Sequence, residues 1–195
     1  VVIRKLKHRM ESLIIGDPLD KNTDIGAINS KRQLETIENY IAIAKKEGAE
    51  IYQPKCELPK KGNWCRPTLF MNVSQSHKIV QEEIFGPVLT VMRAQDIDQA
   101  IKIANNTQYA LTGGIFSRSP GNIEQARHEF KVGNLYINRK ITGALVGRQP
   151  FGGFGRSGVG SKAGGPDYLL RFMNIRSISE NTLRRGFAPS SVSPR

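Results

Sequence analysis

Between residues 68 and 138 the chain alternates apolar runs of strand length with stretches of helical spacing, and that alternation restricts it to an α/β architecture. Residues 68–73, entered through Pro67, read as a strand, and 88–93, 111–117 and 133–138 read as three more. Glycines sit among the apolar residues of 111–117, as in a buried strand. Asp96 caps a helix over 96–105, with Gln99 at the capping-box position. A second helix, 122–130, turns Ile123, Ala126 and Phe130 inward. Strands joined through helices run parallel, so the expected core is a mostly parallel sheet flanked by helices.

The flanking regions are organised differently. Residues 1–13 form an amphipathic pattern with Val2, Leu6, Met10 and Leu13 at helical spacing. No capping residue precedes that helix, so the chain is expected to open inside a domain. Gly16-Asp17-Pro18 breaks the pattern, and 20–29 is a polar loop. Ser30 caps the next helix with Gln33 at its capping-box position; Leu34, Ile37, Ile41 and Ala44 form its apolar stripe, and Gly48 ends it. Residues 50–53 read as a short strand. Over 139–167 glycine becomes dense and periodicity disappears, which suits a segment that lines a site. A short helix is expected over 168–173 and an edge strand over 177–182. The division is one domain, 1–189, and a frayed tail, 190–195.

Charge and composition narrow the function. The net charge is +12, from 29 Lys and Arg against 17 Asp and Glu. Such a surface draws anions, phosphates among them, or nucleic acid. The basic residues are spread along the chain and carry no RNA-binding, zinc-finger or helix-turn-helix signature, so no nucleic-acid partner is expected. His8, His77 and His128 stand apart, and Cys56 and Cys65 have no His beside them, so no metal site is expected. The two cysteines read as reduced thiols of a cytoplasmic protein. There is neither a run long enough to span a membrane nor a signal-peptide pattern at the start.

Two runs carry the chemistry. The first is Glu82-Glu83-Ile84-Phe85-Gly86-Pro87-Val88. Ionised carboxylates are costly to bury unpaired, so this stretch is not the opening of a buried strand. It presents Glu83 and the Phe85 ring at the mouth of one. A carboxylate accepts two ribose hydroxyls, and a ring covers a nicotinamide face. The second run, Gln149-Pro150-Phe151-Gly152-Gly153-Phe154-Gly155-Arg156-Ser157-Gly158, contains a G-x-G-x-x-G pattern. It neither follows a strand nor opens a helix, so it reads as a tight substrate-lining turn rather than a dinucleotide fingerprint.

Glu83-Ile84-Phe85-Gly86-Pro87, Pro150-Phe151-Gly152-Gly153 and Ser157-Gly158 resemble motifs of the aldehyde dehydrogenase superfamily, and Gly16-Asp17-Pro18 falls in the family's order. Residues 133–139, 142–147 and 161–169 are similar to its L-glutamate γ-semialdehyde (1-pyrroline-5-carboxylate) dehydrogenase branch. The resemblance implies an NAD cofactor, with NADP not excluded, contacted by Glu83 and Phe85. It implies that the backbone at Gly143 and Ala144 anchors the substrate's α-carboxylate and that Phe151 packs beside its aliphatic chain. Oxidation of glutamate γ-semialdehyde to glutamate in proline catabolism, a homo-oligomer and a C-terminal oligomerisation strand follow from it too. The family's G-Q-x-C nucleophile and E-L-G-G base segments are absent here, and Cys56 and Cys65 match a variable surface loop. The resemblance therefore implies the C-terminal part of the catalytic domain, beginning just past the nucleophile, with no catalytic residue of its own and no turnover alone. The alternative is a non-catalytic remnant or subunit that associates with a full-length aldehyde dehydrogenase.

Overall fold

The computed structural model describes residues 1–181. The core is built around β2 (Thr68–Met71), whose four residues are all buried. Side chains alternate across a strand, so β2 serves two helices. Leu69 and Met71 meet Met10 of α1 (Val2–Glu11), while Phe70 meets Ile37 and Ala44 of α2 (Lys31–Lys46). Leu69, Phe70 and Ile37 are each 0% exposed. Burying a side chain of that size contributes about 1.5–3 kcal/mol, so this three-layer contact holds the N-terminal half together.

Ser30 caps α2 as expected: its hydroxyl accepts from the Gln33 backbone N–H at 3.2 Å. The helix stops where Gly48 takes φ +86°, a conformation that glycine adopts without steric cost. β1 (Glu50–Tyr52) then pairs with β2 antiparallel, and β3 (Val88–Thr90) pairs with β2 parallel across the short helix α3 (Lys78–Gln81).

The chain continues through α4 (Ile97–Asn105), β4 (Tyr109–Ala110), β5 (Thr112–Ile115), α5 (Pro120–Glu129), β6 (Asn134–Ile137) and β7 (Phe154–Gly155), then a 3-10 helix, Tyr168–Phe172. Asp96 caps α4, accepting from Gln99 N–H at 2.8 Å. β5 and β6 pair in parallel, joined through α5, and β4 pairs with β7 antiparallel.

Four expectations change. The mostly parallel sheet is instead three small ones, β1–β2–β3, β5–β6 and β4–β7, with two parallel and two antiparallel ladders. No helix crosses between β1 and β2; a loop alone reverses the chain there, and a parallel pair requires a crossover. Only one residue of 111–117, Gly113, is fully buried within β5. Helix α5 starts two residues before position 122, because Ser119 caps it and Pro120 occupies its first turn. Residues 177–181 form no strand: a strand exists by pairing, and this segment joins no described ladder. Thr182 and the 190–195 tail lie outside the described residues.

Candidate functional site

The first run folds into a turn between α3 and β3 that is fixed from outside. Ile84 is buried, and Phe85 follows at φ +56° with 80% of its surface exposed. A non-glycine residue in that region is held there by its surroundings. The holder is α2. Gln33 does not close the expected capping box; its Nε2 donates to Ile84 O at 2.8 Å and Phe85 O at 3.2 Å. Gly86 lies so close to the same helix that a Cβ there would stand 2.6 Å from Ile37 Cδ1. Pro87 O accepts from Thr68 N–H at 3.0 Å, tying the turn to β2. The Phe85 ring therefore projects from a rigid base.

Glu83 is exposed, and its carboxylate has no hydrogen bond or ion pair among the described residues. Its neighbour Glu82 is engaged: it accepts from Tyr40 Oη at 2.6 Å and lies 3.7 Å from Lys78 Nζ. The hydrogen bond to Glu82, then burial, pushes the Tyr40 phenol up to about 12. Glu82 thus braces the loop, and Glu83 keeps all its acceptor capacity for a ligand.

The second run reaches the same place. β7 pairs Gly155 with Tyr109, and Arg156 N–H donates to Gln108 O at 3.0 Å. Arg156 Nη1 donates to Gln108 Oε1 at 3.2 Å, and its guanidinium lies 5.8 Å from the Tyr109 ring. Tyr40, Glu82, Glu83, Tyr109 and Arg156 line one cavity of about 420 Å³. The two runs, about seventy residues apart in sequence, share a polar cleft with a free carboxylate and a cation. Gly153–Gly158 opens no helix, as its sequence context indicated.

The residues matched to the substrate lie elsewhere. Gly143 has φ +82° with open space around it, and the N–H groups of Gly143 and Ala144 have no partner among the described residues. Successive free N–H groups at a left-handed turn make a concavity that accepts a carboxylate. Phe151 is 41% exposed and pairs with Ala163. A second cavity, about 570 Å³, runs along β6 between Arg139, Gln149 and Lys162. Glu83 lines the first cavity; Phe85, Gly143, Ala144 and Phe151 line neither. Gln33, Tyr40 and Arg156 escaped assignment from sequence, because their partners are remote in the chain.

Cys65 is not poised to attack. Cys65 is 7% exposed inside the α2 core, and burial, then the Glu38 charge, raises its thiol pKa. A protonated thiol is a poor nucleophile. Among the described residues no cluster of three His, Cys, Asp or Glu could hold a metal, and no helix is long and apolar enough to cross a membrane.

Known proteins match along nearly the whole chain. The model of the aldehyde dehydrogenase family matches residues 1–178. The chain is 47% identical over 179 residues to the 1-pyrroline-5-carboxylate dehydrogenase of Geobacillus sp. (strain WCH70), covering 92% of this chain and 35% of that protein. The solved 1-pyrroline-5-carboxylate dehydrogenase from Thermus with bound NAD superposes with a TM-score of 0.81 at 46% identity, over 88% of this chain and 33% of its own. Proline utilization A from Bdellovibrio bacteriovorus gives a TM-score of 0.85 at 46% identity, over 97% of this chain and 20% of its own. The chain thus spans about a third of the length of the curated relatives it matches.

Proposed function

The chain belongs to the aldehyde dehydrogenase family, and on that premise we propose that it supplies cofactor and substrate contacts for NAD-dependent oxidation of L-glutamate γ-semialdehyde to glutamate. One observation carries the reading: a free carboxylate and an exposed ring, Glu83 and Phe85, on a turn locked by Gln33 and Ile37. These groups fit the nicotinamide riboside end of the cofactor, which when bound accepts the hydride. Glu83 accepts the ribose hydroxyls, and Phe85 limits the nicotinamide ring to one face of its site. The unpartnered N–H groups at Gly143 and Ala144 hold the substrate's α-carboxylate. Phe151 covers its methylene chain and keeps water from it.

The 195 residues contain no G-Q-x-C or E-L-G-G segment. We therefore assign the thiol that attacks the aldehyde and the base that activates water to sequence outside them, and place this segment in the C-terminal part of the catalytic domain. The isolated chain does not turn over on this reading. Losing a covalent nucleophile costs on the order of 10⁶ in rate. Association with further copies runs through residues 174–181, where Ile175 and Ile178 are 99% and 74% exposed.

The test joins this chain to the N-terminal part of a 1-pyrroline-5-carboxylate dehydrogenase and assays glutamate γ-semialdehyde oxidation. Glu83→Ala should raise the NAD KM about tenfold or more, the scale of one charge-assisted hydrogen-bond pair. Unchanged nicotinamide kinetics would refute the role of Glu83.

A further inference from the structure

We propose that Asn134 is a positioning residue for the aldehyde, acting through Phe151; the inference rests on the substrate role given to Phe151 above. Asn134 opens β6, and its backbone N–H is committed to the ladder, donating to Leu111 O at 3.0 Å. Its side chain is left to reach the second run. Nδ2 donates to Pro150 O at 2.9 Å, and Oδ1 accepts from Gly152 N–H at 3.2 Å. These two backbone groups are the ones that flank Phe151.

The neighbouring contacts hold that loop from two further sides. Gly133 approaches so closely that a Cβ there would stand 1.9 Å from Gly152 O and 2.7 Å from Gly153 Cα. From the other side, Phe151 and Ala163 exchange two 2.9 Å backbone hydrogen bonds. Lys162 donates to Gly133 O, and its side chain packs within 3.3 Å of a Cβ at Gly152. The backbone of Phe151 is thus clasped between β6 and residues 162–163, which fixes the base from which its 41% exposed side chain projects. A carboxamide carries a donor and an acceptor in one plane, and Asn134 uses one on Pro150 and the other on Gly152. A displacement of about 1 Å in a group that orients substrate can cost up to about 100-fold, so Asn134 governs the aldehyde site without touching substrate.

Two measurements on Asn134→Ala decide the matter. Amide hydrogen exchange on the whole 195-residue chain should show Gly152 exchanging about tenfold faster or more, with the amides of α2 and β2 unchanged. Asn134→Asp keeps the acceptor for Gly152 N–H but sets a carboxylate oxygen against Pro150 O, so it should return only part of the protection at Gly152. In the joined enzyme, Asn134→Ala should raise the KM for glutamate γ-semialdehyde about tenfold while the NAD KM and the melting temperature hold. Unchanged exchange at Gly152 would overturn the proposal. So would a parallel fall of every kinetic constant with Tm, which marks a general fold defect. A joined enzyme that carries wild-type Asn134 and oxidises no aldehyde refutes the proposed function instead, and the exchange rates still decide whether Asn134 holds the loop.

Discussion

Replacing Phe85 with glycine should leave stability nearly unchanged while removing a ring from the cofactor site. Three contributions enter. Phe85 sits at φ +56°, where an L-residue costs about 1–2 kcal/mol, and glycine relieves that. Glycine adds freedom to the unfolded chain, which costs about 0.4–1 kcal/mol. Full burial of a phenylalanine contributes about 1.5–3 kcal/mol; with the residue 80% exposed, about a fifth of that, roughly 0.5 kcal/mol, is lost. The sum lies within about 1 kcal/mol of zero. Phe70, the same residue type at 0% exposure, should lose about 3–5 kcal/mol on substitution by alanine. Urea unfolding of both variants, followed by far-UV circular dichroism, makes the comparison. In the joined enzyme the order reverses for the cofactor, with Phe85→Gly raising the NAD KM. A loss above about 2 kcal/mol in Phe85→Gly, outside the sum of these contributions, would mean that the ring is packed in solution and unavailable to a nicotinamide.

Alkaline stability should depend on Tyr40. Its pKa is raised from 10.0 to about 12 in the fold, so between those values the unfolded chain has released the proton that the native chain keeps. The contribution is complete below pH 10 and is lost as pH rises toward 12; Tm measured from pH 9 upward should fall less steeply in Tyr40→Phe than in the parent. Gly133→Ala should cost more than Gly143→Ala. The first drives a Cβ into the Gly152 backbone at 1.9 Å, whereas the second has open space at φ +82° and meets only the ~1–2 kcal/mol left-handed penalty. Urea midpoints that coincide would contradict the close approach. A thiol reagent should label Cys56 in the native chain and reach Cys65 only after unfolding, since Cys65 is buried and its thiol pKa raised; two fast-reacting thiols would contradict the core around α2.

The elements with local causes were legible in the sequence. Ser30 and Asp96 cap their helices because the bonded N–H lies three residues on, and Ile37 and Ala44 are buried because the stripe is written at helical spacing. Gln33 shows where that reading stops. Its position fits a local capping box, yet its amide finds the carbonyls of Ile84 and Phe85, 51 and 52 residues away. The antiparallel turn of β1 against β2 is of the same kind, since loop 53–67 carries no periodicity to give its direction. Pro120 was a readable helix signal that the inward residues of α5 outweighed. At the site, the density of glycine in 139–167 was plain, but not which neighbour required it. Gly152 answers to Lys162, Gly153 to Ser157 and Ala110 O, and Gly143 only to its own φ. Tyr40 and Arg156 became visible only when β4 met β7.

The ratio of kcat/KM for glutamate γ-semialdehyde to that for propanal, measured in the joined enzyme, bears most directly on what this segment contributes. Propanal offers no α-carboxylate to the N–H groups at Gly143 and Ala144. A preference for the amino-acid aldehyde of about 100-fold or more, abolished by Gly143→Pro, is the outcome these residues require. A ratio near one, with equal kcat/KM for the two aldehydes, would contradict it.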